Sequence, residues 1–130
     1  MNPASISLMA ELGRLPAEIK TASLGLLALG ESHASLERSI ALLEMETAML
    51  VASAKSEGGG KAAYPNDLAR KAEVSRRLSQ DERAINLRDA ERSARSSIER
   101  AKVELAFLEG RFSAARHLID FLAATKGGED

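Results

Sequence analysis

The chain has 130 residues, of which 45 % are hydrophobic but only 3 % aromatic, and it contains no Trp and no Cys. This composition suits an aliphatic core of closely packed helices, and the lack of Cys excludes disulfides and thiolate metal sites. With 18 basic and 19 acidic residues the net charge is −1, so total charge predicts no strong attraction to nucleic acid or to acidic membranes. No apolar run is long enough to cross a bilayer and the start of the chain lacks signal-peptide features, so we expect a cytoplasmic protein without a membrane partner.

Two helices are predicted before the first loop. A short helix over residues 3–13 is followed by a break or a kink between Gly13 and Pro16, because proline lacks a backbone N–H and clashes with the preceding turn. The apolar stripe keeps its phase across this point, which favours two nearly collinear helices. A long helix over residues 16–56 follows, weakened by Gly25 and Gly30, which we expect to permit close approach of another backbone. Its apolar stripe recurs at alternating steps of 3 and 4 residues: Leu12, Leu15, Ile19, Ala22, Leu26, Leu29, His33, Leu36, Ile40, Leu43, Thr47 and Leu50.

A glycine-rich loop is predicted over residues 57–66. Gly58, Gly59 and Gly60 end the long helix and permit a turn. The following Lys61 does not make this a phosphate-binding loop, because the motif's spacing, its Ser or Thr and a preceding strand are missing. The residue before Pro65 must be extended, and either Asn66 or Asp67 is then suited to cap a short helix over residues 67–78.

The last helix is predicted over residues 80–124. Ser79 and Glu82 have the spacing of a capping box at its start. A second stripe then runs along it with the same 3 and 4 spacing: Ala84, Leu87, Glu91, Ala94, Ile98, Ala101, Leu105, Leu108, Phe112, Ala115, Ile119 and Leu122.

The two stripes predict one all-α domain over residues 1–130, a long antiparallel coiled-coil helical hairpin with a short helix at its loop end. The stripes match layer by layer when paired residue numbers add up to about 134, as expected for antiparallel heptads. In this register Leu43 faces Glu91 and His33 faces Ala101. The line along which the two stripes meet is called the seam. Its polar residues are expected to act structurally, His33 as a hydrogen-bonded core histidine and Glu91 by snorkelling, by pairing with an arginine or by fixing the register.

Further apolar residues lie off the seam, and we interpret them as an oligomer interface. A two-helix hairpin buries too little surface to be stable alone. Either the short segments of the same chain cover these residues, or hairpins associate into a four-helix bundle or a larger homo-oligomer, which we favour. The predicted interface consists of Val103, Phe107, Leu118, Phe121, Leu24 and Leu27.

The excess of positive charge is concentrated in residues 61–102, which carry 11 basic and 7 acidic groups. One interpretation is a solvated face on which Arg and Lys alternate with acidic residues. The other is a surface that binds phosphates or an acidic partner with weak, salt-sensitive affinity. For that surface the predicted binding residues are Arg70, Lys71, Arg76, Arg77, Arg88, Arg92 and Arg95, with Tyr64 and Asn66 shaping the loop.

The sequence from Tyr64 through Pro65, Asn66 and Arg70 into a long Arg/Glu-rich helix resembles small helical-hairpin proteins of bacteriophages and prophages. The resemblance covers roughly residues 64–122. It implies a nonenzymatic accessory role in DNA recombination or replication, with single- or double-stranded DNA or a DNA-processing protein as partner. Tyr64, Asn66 and Arg70 would form the characteristic site.

No catalytic or metal-binding motif accompanies these features. We expect no enzyme activity, no cofactor, no metal and no small-molecule substrate, since a helical hairpin offers no deep pocket. The alternative to the DNA-related role is a coiled-coil adaptor, or an inhibitor of a host enzyme, that does not bind nucleic acid.

Overall fold

The chain forms three α-helices and no extended sheet in the part that is described. The structure is a computed structural model that describes the backbone of residues 3–127 and the side chains of residues 3–125. Helix α1 spans Pro3–Ser53, α2 spans Asp67–Gln80 and α3 spans Glu82–Gly127. The prediction of an all-α helical hairpin, in which α1 packs against α3, is confirmed.

The chain divides into two compact units, and both long helices contribute to each. One unit contains residues 1–30 and 97–130, and the other contains residues 31–96 with the whole of α2. In the second unit the three helices meet in a small core of Leu43 from α1, Leu78 from α2 and Ala84 from α3. Val74 and Leu87 pack against this core. Because the division cuts both long helices, the prediction of a single domain stays a prediction.

The predicted apolar stripes are the residues that the helices shield from solvent. Every stripe residue of α3, from Ala84 to Leu122, is buried or half-buried. The same holds for α1 from Leu12 to Thr47, but Leu50 is 63 % exposed and Val51 is fully buried in its place. An α-helix has 3.6 residues per turn, so a strict 3.5-residue repeat drifts around a straight helix. By the last turn of α1 the buried face has moved on by one residue.

The predicted register of the two helices is wrong by about one heptad or more. Leu43 packs on Ala84 and not on Glu91, while His33 lies 2.9 Å from Glu91 and not beside Ala101. In the other unit Arg111 donates a hydrogen bond to Glu11, which the predicted register placed ten or more residues away. A shift by one heptad preserves both buried faces, so the stripes alone do not distinguish these registers.

Helix α1 is one continuous helix through the position where a break or a kink was predicted. Pro16 lies inside α1, which ends at Ser53 and not at residue 56. Leu15, directly before the proline, is 2 % exposed, and Leu12 and Ile19 on either side are half-buried. Burying these side chains in the seam compensates for the hydrogen bond that Pro16 cannot donate.

Caps define the ends of the shorter elements. Asn66 caps α2, as one of the two predicted alternatives, because its side chain accepts a 2.8 Å hydrogen bond from the Ala69 N–H. The predicted capping box of Ser79 and Glu82 is wrong, since α2 continues to Gln80. Asp81 alone joins α2 to α3, and its carboxylate accepts a 2.8 Å hydrogen bond from the Arg83 N–H.

The loop between α1 and α2 closes as a small hydrogen-bonded turn. Gly58, Gly59 and Gly60 all have positive φ, the region that residues with a side chain rarely adopt. The Ser56 N–H donates a 2.8 Å hydrogen bond to the Lys61 carbonyl, which holds the two ends of the turn together. The glycines therefore act as backbone-turn residues.

We expect alanine at Gly25 or Gly30 to stabilise the protein. A Cβ at either position would meet nothing within 4 Å, so the prediction that these glycines permit close backbone approach is wrong. Each Gly→Ala change should raise the free energy of unfolding by about 0.5–1 kcal/mol, because glycine loses more backbone entropy on folding. Urea unfolding measures this. Gly58→Ala is the matched control and should destabilise, because its φ is +95°.

Alanine substitutions at Leu43 and Leu50 should have very different effects. Leu43→Ala removes a core contact and should cost about 2–5 kcal/mol of unfolding free energy. Leu50→Ala removes an exposed side chain and should change it by no more than about 0.5 kcal/mol. Chemical unfolding compares the two variants, and equal losses would contradict the assignment of the buried face at the end of α1.

Candidate interaction surfaces

The residues of the Tyr-Pro-Asn turn come together as one structural motif at the start of α2. Arg70 Nη1 donates to the Tyr64 carbonyl over 3.2 Å, and Nη2 donates to Asp67 over 2.6 Å. This ion pair lowers the pKa of Asp67, with the hydrogen bond from Arg70 as the largest cause. Asn66 caps the same helix, so the predicted site residues Tyr64, Asn66 and Arg70 fix the path of the loop into α2.

A buried carboxylate organises the arginines of α2. Glu73 is 9 % exposed and accepts two hydrogen bonds from Arg76, of 2.6 and 2.9 Å, and one of 2.9 Å from Arg77. These bonds, first from Arg76 and then from Arg77, lower the pKa of Glu73 to about 2. Arg76 and Arg77 are therefore held by an internal partner. The sequence analysis missed Glu73, although its spacing of 3 and 4 residues from two arginines is typical of helical ion pairs.

Arginines on α3 are also paired. Arg92 lies 3.3 Å from Asp89, and Arg88 lies 3.7 Å from Glu44 on α1. Arg95 donates to Glu91, which lowers the pKa of that carboxyl, and the hydrogen bond with His33 adds to the effect.

His33 has a carboxylate at each ring nitrogen. Nδ1 lies 2.7 Å from Glu37 and Nε2 lies 2.9 Å from Glu91, so the histidine links α1 to α3 in the seam. The prediction of a hydrogen-bonded core histidine is confirmed, and so is the pairing of Glu91 with an arginine. Among the described residues no group of three or more His, Asp or Glu side chains is arranged to hold a metal ion.

Ion pairs neutralise most of the positive charges in the basic segment of residues 61–102. Eight of its eleven cations form ion pairs with described acidic residues: Arg70, Arg76, Arg77, Arg83, Arg88, Arg92, Arg95 and Lys102. Lys71 forms no ion pair with a described residue, although its charge helps to lower the pKa of Asp67. This pattern favours the interpretation of a face on which opposite charges alternate. Nucleic-acid binding stays a prediction.

An open groove lies between α1 and α2 in the second unit. Its volume is about 830 Å³. Alanines and a methionine of α1 form the floor, and Val74, Ser75 and Leu78 of α2 form one wall. Charged side chains of both signs complete the lining: Glu44 of α1, Asp67, Arg70 and Lys71 of α2, and Arg88 of α3. The sequence analysis missed this groove, because the position of α2 on α1 depends on tertiary packing.

Four of the six predicted interface residues form a stripe along α3. Val103, Phe107, Leu118 and Phe121 are 50–69 % exposed and recur at helical spacing, with Ala114 between them.

The other two predicted interface residues, Leu24 and Leu27, are exposed on α1 but do not share this surface. The Glu11–Arg111 pair marks the side of the helix pair on which the α3 stripe lies. Counting heptad positions from the buried seam places Leu27 on the opposite side and Leu24 at the back of α1. This placement does not support one surface for all six residues, and their role as an oligomer interface stays a prediction.

Comparisons with protein-family models, with curated proteins and with solved structures find no match. The resemblance to phage proteins therefore stays a prediction. No helix in the described part of the chain combines the length and the apolar character needed to span a membrane.

Replacing Glu73 with glutamine should alter the acid stability of the protein. The pKa of Glu73 is lowered to about 2 from an ordinary value of 4.5, so its stabilising contribution is complete above pH 4.5 and is lost as the pH falls through about 2. Glu73→Gln should therefore be less stable than the wild type at pH 7, and the difference should shrink between pH 4.5 and 2.

Urea unfolding at several pH values measures this difference. Glu46→Gln is the matched control, because Glu46 is exposed on α1 and forms no ion pair with a described residue. It should stay close to the wild type throughout. A difference for Glu73→Gln that is constant with pH would contradict the role assigned to the ion pairs.

Proposed function

We propose that the protein is a nonenzymatic coiled-coil interaction module that works as a homo-oligomer. The observation that carries this proposal is the exposed α3 stripe of Val103, Phe107, Leu118 and Phe121. Isolated exposed apolar residues are common on protein surfaces, whereas a continuous patch that includes two phenylalanines is typical of an interaction site.

The stripe is additional to the seam, which is already filled. Leu105, Leu108 and Phe112 of the same helix stretch are half-buried against α1. Packing between α1 and α3 in this unit therefore does not cover the stripe. The short helix α2 belongs to the other unit. A second helical hairpin supplies the missing contact in the way that two hairpins form a four-helix bundle.

The composition of the stripe supports association of copies related by a twofold axis. Such an interface brings the same stripe of both copies together. One small residue, Ala114, lies in the middle of the stripe between Phe107 and Leu118, so that a large side chain of one copy can pack opposite it in the other. The ion pair of Glu11 with Arg111 lies at its edge, where interfaces are polar.

Phe107→Asp should weaken self-association, because the new carboxylate would lose water at the contact without gaining a partner. Light scattering coupled to size-exclusion chromatography should show a dimer or larger species for the wild type and a shift towards monomer for the variant. Ser113→Asp is the matched control, because it adds the same charge to an exposed position of α3 outside the stripe.

Circular dichroism checks that both variants remain helical. A wild type that is a helical monomer at micromolar concentration would contradict the proposal. So would an oligomer that Phe107→Asp and Ser113→Asp leave equally intact, since the stripe would then not form the contact.

A further inference from the structure

The groove between α1 and α2 has an apolar floor with the spacing of a helix-docking surface. Ala41, Met45, Ala48 and Ala52 form this floor, at steps of 4, 3 and 4 residues. These positions extend along roughly 16 Å of α1, or about three helical turns, at 1.5 Å per residue. The alanines leave room for another helix to come close to the backbone of α1, and Met45 can adapt its flexible side chain to different partners.

Helix α2 supplies the second side of the groove. Val74 and Leu78 face it; Leu78 belongs to the core that fixes α2 against α1 and α3, and Val74 packs against that core. The groove therefore has a rigid apolar wall and floor, whereas its remaining side is open to solvent. An open groove of about 830 Å³ suits the side chains of an amphipathic helix better than a small molecule, which needs a more enclosed pocket.

The rim of the groove carries cations that are available to a partner. Lys71 makes no ion pair with a described residue, and Arg88 is held only by a long contact of 3.7 Å to the exposed Glu44. Arg70 is bound to Asp67, whose side chain is 86 % exposed. Exposed ion pairs of this kind contribute only about 0–1 kcal/mol, so a carboxylate of a partner can replace Glu44 or Asp67 at little cost.

We propose that this groove binds an amphipathic α-helix of a partner protein that carries carboxylates beside its apolar stripe. The apolar residues of that helix would pack on Ala41, Met45 and Ala48, and its carboxylates would pair with Lys71 and Arg88. Charge complementarity decides between possible occupants. A nucleic-acid backbone does not fit an apolar floor with one unpaired cation at its edge, because such binding depends on neutralising several phosphates.

A synthetic peptide serves as the probe. It is a fluorescein-labelled helix of about 18 residues, long enough for marginal helicity in water, with leucines at heptad spacing and glutamates on both flanks. A second peptide has lysine in place of every glutamate. Fluorescence anisotropy should show that the full-length protein binds the acidic peptide, and that binding of the basic peptide is at least about tenfold weaker, a difference of about 1.4 kcal/mol.

Substitutions test whether the acidic peptide occupies the groove. Ala48→Glu places a carboxylate on the floor at an exposed helical position that tolerates glutamate, and it should weaken binding at least about tenfold. Ala28→Glu is the matched control, an exposed alanine of α1 outside the groove, and should bind as the wild type does. Lys71→Glu should also weaken binding, and its effect should decrease at high salt.

Other outcomes would overturn the proposal. These are no binding of the acidic peptide, equal binding of both peptides, or an unchanged affinity in Ala48→Glu. Loss of self-association in Ala48→Glu would assign the groove to a second copy of the chain. Duplex DNA that binds the wild type but not Ala48→Glu would assign it to nucleic acid. The groove and the α3 stripe have no residue in common, so failure of this test leaves the proposed self-association to its own experiment.

Discussion

Packing of α1 against α3 along their heptad stripes is the interaction on which the other features depend. It keeps α1 helical through Pro16, since Leu15 and its neighbours are shielded in the seam. The same packing determines which side chains of the two helices stay exposed. Because one face of α3 packs against α1, Phe107 and Phe121 lie on another face, where they are exposed. A self-association surface is therefore a consequence of how the seam is filled.

Helix α2 determines what the loop end of the protein can bind. Leu78 fixes it to Leu43 and Ala84, while Glu73 holds Arg76 and Arg77. The short helix thus uses much of its positive charge internally and leaves the apolar groove beside α1 open. These contacts favour recognition of a protein helix over recognition of a phosphate backbone, because apolar contact area and a few rim charges are available, and a continuous row of unpaired cations is not.

Polar residues in the seam connect the helices more specifically than the apolar residues do. His33 reaches Glu37 and Glu91, and Glu91 also binds Arg95. An aliphatic seam permits several registers that differ by one heptad, whereas a histidine must meet a hydrogen-bonding partner when it is partly buried. This network therefore distinguishes the observed register from the predicted one, in which His33 lay opposite Ala101.

The sequence by itself determined the helical class, the hairpin and almost every residue of the two buried stripes, because the 3 and 4 spacing of apolar residues defines a helix face locally. It also identified Asn66 as a possible cap, since capping depends on the neighbouring backbone. Only the tertiary structure decided the register and the burial of Val51 in place of Leu50. It also decided the partners of the arginines and formed the groove beside α2. These features depend on which residues meet across the chain. A repeating stripe looks the same after a shift of one heptad, so that information is not contained in its spacing.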